Sequence, residues 1–505
     1  MRRRFSLSAV MFIFCLLFVV RGGAFCAESE SGQHTETEKQ GVFVLGEIEV
    51  IGKAEETENA AVSSVFDEEM KLFTRDDIAD AANLLPGVTL SYAGARNEQT
   101  LHVRGFDIKH VPIFLDGIPI YVPYDGYPDL GRFITFDLSE LLISKGFTSV
   151  LYGPNTMGGA LNMVSKRPDK LFETNGGAGI SSGDTYQVYG NFGTNQNKYY
   201  VQGGASYIDS RYFRLSDDFS PVKTEDGGKR ENSYTRDKKV NFKIAYTPSD
   251  GNEYAFSYIN QQGKKGTPVY AGTDTSVTAR YWQWPYWDKE SYYVTSRTAL
   301  GTESYFKTRL FYDNFENSLY SFDDDTYSTI SKKYAFRSAY DDYSAGGSLE
   351  GGTDLFARNM IKVAVHFKKD VHREDNEGHP IQTFKDEIFS LGIEDTIDLS
   401  TDFYVIAGAD YDFLKITMKR AIKNFSGADS GWKHACFTVI SAILFFLPLS
   451  RIPKTLKRRL IRTIISERLS NTVRNLIFRH LLRKNWSAVS TIPICSETIE
   501  ALRIN

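Results

Sequence analysis

Residues able to do covalent or metal chemistry are scattered along this chain. The eight histidines, His34, His102, His110, His366, His372, His379, His434 and His480, show none of the short spacings of a zinc site. Only His366 and His372, with Glu374 and Asp375, stand close enough to suggest a metal held at a loop. No nucleophile, base and orienting acid form a recognisable constellation, so the expectation is a protein that is not an enzyme and carries no cofactor or resident metal. Gly153, Gly158 and Gly159 are not a phosphate loop, because no Gly-Lys-Ser/Thr follows, nor a dinucleotide fingerprint at a strand-to-helix turn. What remains is noncovalent recognition by aromatic and charged side chains. Aromatics make up 14% of the chain, with 29 Tyr and 40 Gly, which suits β structure having a wet and an apolar side.

The elements that must position such side chains change character along the chain. Arg2, Arg3 and Arg4 precede an apolar run from Ala9 to Val20, and Gly22, Gly23, Ala24 and Ala27 follow, so residues 1–27 read as an export signal. A lipid anchor on Cys26 is disfavoured by Phe25, which stands where a small residue belongs. Residues 28–52 form a polar lead that ends in a short apolar segment around Glu47, Ile48, Glu49 and Val50. No cysteine occurs from Glu28 to Arg420, so an exported chain would take its rigidity from a source other than disulfides, and a closed barrel is one. Residues 53–170 read as a small mixed α/β domain. A helix is expected over Phe73–Leu85, with Thr74 as cap and Pro86-Gly87 as stop, followed by strands at Val88–Tyr92, Thr100–Arg104, Val111–Leu115 and Ile118–Val122, the last two joined at Asp116-Gly117.

Three motifs of this domain are distinctive together: Arg104-Gly105-Phe106, Leu115-Asp116-Gly117-Ile118-Pro119, and the passage from Tyr152-Gly153-Pro154 to Gly158-Gly159-Ala160-Leu161-Asn162. In this order they resemble the plug domain of TonB-dependent outer-membrane receptors. The resemblance implies a plug inside a β-barrel and energised uptake, across the outer membrane of a Gram-negative bacterium, of a scarce ligand, foremost a ferric siderophore, whose iron travels as cargo. Implied partners are the TonB energy-transducing complex, a small-molecule metal chelate and outer-membrane lipid, with no nucleic acid. Glu47, Ile48, Glu49 and Val50 stand where the family carries its TonB box, a peptide suited to joining a sheet edge. Ser91–Glu98 and Tyr121–Arg132 become candidate plug apices, where Arg96, Tyr121, Tyr124, Tyr127 and Arg132 would offer cations, hydroxyls and ring faces to an anionic or catecholate-like chelate. Arg104, Gly105, Asp116, Gly117, Gly153, Gly158, Gly159 and Asn162 are expected to be structural, with Arg104 pairing carboxylates of the barrel wall.

Beyond Lys170 the sequence alternates with period two in about eleven candidate strands as far as Tyr411, so residues 171–420 read as a partial antiparallel transmembrane barrel. Long loops are expected at Asp209–Asp237, Gly263–Glu290 and Asp370–Lys385, the second rich in aromatics (Tyr270, Tyr281, Trp282, Trp284, Tyr286, Trp287) that suit an interface girdle. Residues 421–505 differ. The net charge of −4 divides into +10 from Ala421 onward and −14 before it, and none of the 29 Tyr falls in this tail. Ala435–Leu449 is an apolar run and Lys454–Lys484 a basic amphipathic stretch, so the tail is expected to be helical or unstructured. A frameshift or fusion near residue 420, an inner-membrane-like extension, and divergent strands are the competing explanations. Functional alternatives are a haem or cobalamin receptor, a passive porin-like or adhesin barrel, and a non-functional truncated receptor fragment.

Overall fold

The computed structural model describes residues 62–420, apart from 124–125, 146–148, 357 and 401–402, together with 438–444 and 493–494. The signal segment, the polar lead and Glu47–Val50 lie outside the described residues, as does Tyr124.

Strand β1 (Val62–Phe66) runs directly into α1 (Asp67–Leu72), and a turn leads to α2 (Ile78–Ala82). The single helix expected over Phe73–Leu85 is thus shorter, and its cap is Asp77, whose carboxylate accepts from Asp80 N at 2.9 Å. Thr74 sits instead in a turn with φ 51°. A carboxylate caps as well as any side chain and also favours the helix dipole, so the later position wins. There follow β2 (Val88–Ala93), β3 (Glu98–Val103), β4 (Phe106–Asp107), β5 (Ile113–Leu115), β6 (Ile118–Ile120), β7 (Leu138–Lys145) and β8 (Gly159–Ser165). They form a β2-β3-β4 sheet and a β1-β7-β8-β5-β6 sheet in which β5 and β8 run parallel. Strand β7 escapes a period-two search because Leu141, Ile143, Ser144 and Lys145 are all buried in the middle of the sheet. Between the sheets and α2 lies a core of Ile78, Leu101, Ile118, Leu130, Leu141, Ile143 and Leu161, each no more than 1% exposed.

The second region is one meander: β9 (Glu173–Ser181), β10 (Thr185–Asn195), β11 (Tyr199–Ser210), a small hairpin β12 (Phe213–Arg214) and β13 (Lys229–Arg230), then β14 (Thr235–Ser249), β15 (Asn252–Thr267), β16 (Tyr281–Ala299), β17 (Ser304–Phe322), β18 (Phe336–Thr353), β19 (Asn359–Asn376), β20 (Gln382–Ser400) and β21 (Phe403–Arg420). Apart from the hairpin, each pairs antiparallel with the next, and β22 (Thr438–Leu444) and β23 (Pro493–Ile494), which follow on beyond β21, bring the sheet to 13 strands among the described residues. Part of the tail therefore adds to the sheet edge, where helix or irregular chain was expected; Val439, Ile440 and Ile443 are β-branched and suit a strand.

The connections alternate in length. Short turns at 196–198, 250–251 and 300–303 mark one end of the sheet, and long loops at 211–234, 268–280 and 323–335 mark the other. Two expected loops are mostly strand: residues 281–290 belong to β16, and the connection near Asp370–Lys385 shrinks to residues 377–381. Long strands carry polar ends past the apolar band, and that polarity reads as loop in the sequence.

Side-chain placement across this sheet is inverted relative to a soluble sandwich. On β14 the buried side chains are Asp237, Lys239, Asn241 and Lys243 with the small Ala245, whereas Phe242, Ile244 and Tyr246 on the opposite face are 39%, 42% and 53% exposed. Apolar outside and polar inside is the pattern of a barrel wall facing hydrocarbon. Rings mark the band: Tyr246 stacks with Tyr254 near the short turns, and Tyr258 meets Tyr292 at 5.2 Å further along.

Candidate functional site

The polar inner face of the wall is filled by the first domain, and the contacts along β14 and β15 are ionic. From the short-turn end upward, Glu253 takes Arg167 at 3.1 Å, Lys243 takes Asp116 at 3.0 Å, Lys239 takes Asp137 at 2.7 Å, Asp237 takes Arg132 at 2.9 Å, and Lys265 takes Asp129 at 2.6 Å. Alternation places Asp237, Lys239 and Lys243 on one face of one strand, so a seven-residue stretch spans about 20 Å of plug. Burial pushes the Asp129 carboxyl up, but the Lys265 ammonium and the Arg132 guanidinium outweigh it and hold the group below the usual range.

The Asp116-Gly117 turn does more than reverse the chain. Asp116 and Gly117 have φ of 50° and 75°, the backbone of a two-residue hairpin turn. The Asp116 carboxylate accepts from Ser165 N at 2.9 Å, from Ser165 Oγ at 2.7 Å and from Lys243, and Gly117 N donates to Asn162 Oδ1 at 3.1 Å. One carboxylate thus fixes the hairpin, the end of β8 and the wall. Gly117 also lies against Arg309 of the wall, where a Cβ would come within 2.7 Å of Nε. Gly153, at φ 86°, faces the His366 ring, and a Cβ on Gly158 would meet Phe106 Cβ at 2.4 Å. Gly105 and Gly159 have φ of 89° and 136°. Arg104 is exposed at a left-handed turn and donates to the Lys145 carbonyl oxygen at 3.1 Å. Arg132 and Arg167 are the arginines that meet wall carboxylates in the ladder.

Toward β16 and β17 the same domain meets an apolar wall. Trp287, Tyr293, Phe311 and Phe315 join its hydrophobic core, with Trp287 edge-on to Phe133 at 5.8 Å and to Phe315 at 5.0 Å. Trp287 was expected in a loop girdle. It sits on β16 and points inward, because irregular register near Gly263 and Gln283 re-aims this end of the strand.

Between the plug hairpin and strands β17–β19 lies a cavity of about 480 Å³, lined by Phe114, Tyr121, Tyr152, Arg309, His366 and Lys368 among others. Tyr121 reaches it with its ring 3.3 Å below the Lys368 ammonium, which also pairs with Asp370 at 2.8 Å. Tyr127 lies nearby, donating to Asp107 at 2.9 Å with Lys109 over its ring. Arg96 is half-exposed in a short helical turn, 3.8 Å from Glu98. Arg132 is 6% exposed, paired with Asp237 of β14, and does not line the cavity. The structure therefore brings Tyr121 and Tyr127 into one neighbourhood and takes Arg132 out of it. Lys109, Arg309 and Lys368 were not singled out in sequence, and His366 stood out only as a metal candidate beside His372; only the fold carries Arg309, His366 and Lys368 to the plug. His366 and His372 lie within β19, bonded to the Leu151 carbonyl oxygen and to Asp342, and no cluster of three metal-binding side chains occurs among the described residues.

A small α/β domain ion-paired to the inner face of an outwardly apolar antiparallel wall defines the plug-and-barrel class. Residues 54–160 match the family model described as TonB-dependent Receptor Plug Domain. The fold is similar to that of an unliganded ferric citrate transporter, FecA (16% identity, TM-score 0.59, covering 77% of this chain and 61% of that one). It is similarly close to the FrpB iron transporter of Neisseria meningitidis (14%, 0.60, 77% and 63%) and to the copper transporter OprC (14%, 0.59, 73% and 57%). The chain spans about three fifths of the length of these structures. Residues 54–160 thus form a TonB-dependent receptor plug domain, and the strands that follow share the fold of the walls of these structures.

Proposed function

We propose that this chain supplies the plug and part of the barrel of an outer-membrane receptor that takes up a scarce metal chelate, foremost a ferric siderophore, with energy from a TonB partner. The observation that carries the reading is the seating of the plug. A domain with its own core occupies the polar face of a wall whose other face suits hydrocarbon, so passage requires the plug to rearrange. A passive pore would leave that polar face to water. Ferric citrate and iron transporters among the similar folds agree with a ferric ligand. Tyr121 and Tyr127 are the described candidates for ligand contact, beside the cavity and its Lys368, while Arg132 serves as a wall anchor. Glu47–Val50 is the segment for strand addition to the energy-transducing partner. The test is to delete Glu47–Val50 and follow a radiolabelled ferric chelate: energised uptake is expected to vanish while surface binding persists. Uptake that survives the deletion would refute the coupling.

A further inference from the structure

One part of the plug stands apart from the core that holds the rest. After β7 the chain makes a short helical turn, Val150–Tyr152, before it enters β8, and this turn lies against β19, β20 and β21. Its apolar side chains do not join the cluster built on Ile78, Leu101 and Leu161. Leu151 packs on Ala364 of the wall, and Tyr152 packs on Phe114 and Ala160, in two small clusters of their own. Two hydrogen bonds tie the turn to the wall. Ser149 Oγ donates to Glu394 Oε2 at 2.7 Å, with both residues no more than 3% exposed, and the Leu151 carbonyl oxygen accepts from His366 Nε2 at 2.7 Å. A carbonyl can only accept, so His366 carries a proton on Nε2. The turn also borders the cavity, which Leu151, Tyr152, Pro154 and Asn155 help to line. Gly153, at φ 86°, ends it in backbone that glycine adopts without strain.

We propose that Ser149–Gly153 is a latch: it opens by itself into the cavity while the rest of the plug stays seated, and His366 and Glu394 are the positioning residues that keep it shut. A segment outside the main core opens at lower cost than the core does. The cavity gives it room without displacing close-packed atoms, which a well-filled interior would not. The ionic contacts on β14 and β15 and the apolar contacts on β16 and β17 involve other plug residues, so they persist when the latch opens. That the opening serves uptake rests on the function proposed above; the opening itself does not.

The test is amide hydrogen exchange on the purified full chain in detergent micelles, without ligand or partner. Amides of residues 149–158 are expected to exchange before those of β5 and β8. His366→Phe, which keeps a ring without the donor, and Ser149→Ala are each expected to speed exchange in the turn about tenfold, the worth of one buried hydrogen bond. His366→Gln keeps an N–H donor and is expected to restore part of that protection. Exchange in β5 and β8 is expected to stay unchanged in all three. Ile388 lines the cavity, and Ile388→Phe, which adds volume there, is expected to slow exchange in the turn, a result that a merely structural contact would not produce. The latch is overturned if His366→Phe and Ser149→Ala speed β5 and β8 as much as the turn, because the plug then opens as one body. It is equally overturned if neither variant speeds the turn, or if Ile388→Phe leaves the turn as fast as before. No transport is measured, so a failed latch leaves the uptake reading to its own deletion test.

Discussion

The plug meets two stretches of wall that differ in kind. Along β14 and β15 it is held by buried ion pairs from Arg167 up to Asp129, whereas along β16 and β17 it shares a hydrophobic core with Trp287, Phe311 and Phe315. Apolar packing loses contacts outright when it opens, because nothing replaces them but water. An ion pair opened to water regains hydration, so its net worth is small while its orientation is specific. Several buried polar atoms on β14 and the strands that precede it in the sheet, among them Asn241 Oδ1 on β14, both side-chain polar atoms of Gln202 on β11 and Asn191 Oδ1 on β10, lack a protein partner. The β14–β15 contact is thus built to set register, and the β16–β17 contact to hold.

The sharpest way to break this contrast is to remove one member of a buried pair. Asp116→Ala strands Lys243 and frees Ser165, and should destabilise the full chain by about 3–5 kcal/mol in denaturant titration followed at the plug. Asp116→Asn combined with Lys243→Met should recover most of that loss, since the amide oxygen can still accept from Ser165 N and replacing both charges of a buried pair by neutral side chains of similar size is often close to neutral. A double variant as weak as Asp116→Ala would mean the pair contributes net stability, and the contrast would fail. On the apolar side, Trp287→Ala should cost about 3 kcal/mol, and no second substitution in the wall should restore it except one that refills the volume.

A smaller effect belongs to Asp77, the cap of α2 beside the upper end of the ladder. Burial, with the Asp80 and Asp129 charges, raises its carboxyl to about 7 against the partial opposition of Arg132. The folded state then holds a proton that the unfolded chain has released above its own lower value. Stability from this group is therefore greatest in acid and falls as pH rises through about 7. Asp77→Asn keeps a capping side chain and should flatten that slope, gaining about 1 kcal/mol near pH 8. An unaltered pH profile would show that Asp77 is ionised and solvated in the folded plug.

How much of this was legible beforehand follows from the kind of signal each residue carries. Asp116-Gly117 announced a turn, since few residue pairs accept two positive φ values, and the motifs around Gly105 and Asn162 marked the plug. Period-two alternation announced the strands as far as Tyr411. The expected loop at Gly263–Glu290 failed because the polar end of a long strand looks like a loop, and β7 was missed because a central strand does not alternate. Arg132 and Tyr121 looked equivalent in the sequence, each in one expected apex. The fold separates them, one to a carboxylate on β14 and the other to a cavity against β17–β19.

By itself, then, the sequence determined local choices: the turn at Asp116-Gly117, the alternation that gives each strand two faces, and the domain order of plug before wall. Those follow from dihedral preference and side-chain period, which neighbouring residues settle among themselves. Which face meets the plug, that Lys243 answers Asp116 across 127 positions of chain, and that Trp287 enters the plug core rather than the membrane boundary were decided only in three dimensions. A buried charge or ring is stabilised by what lies opposite it, and sheet register, not sequence distance, brings that partner into place.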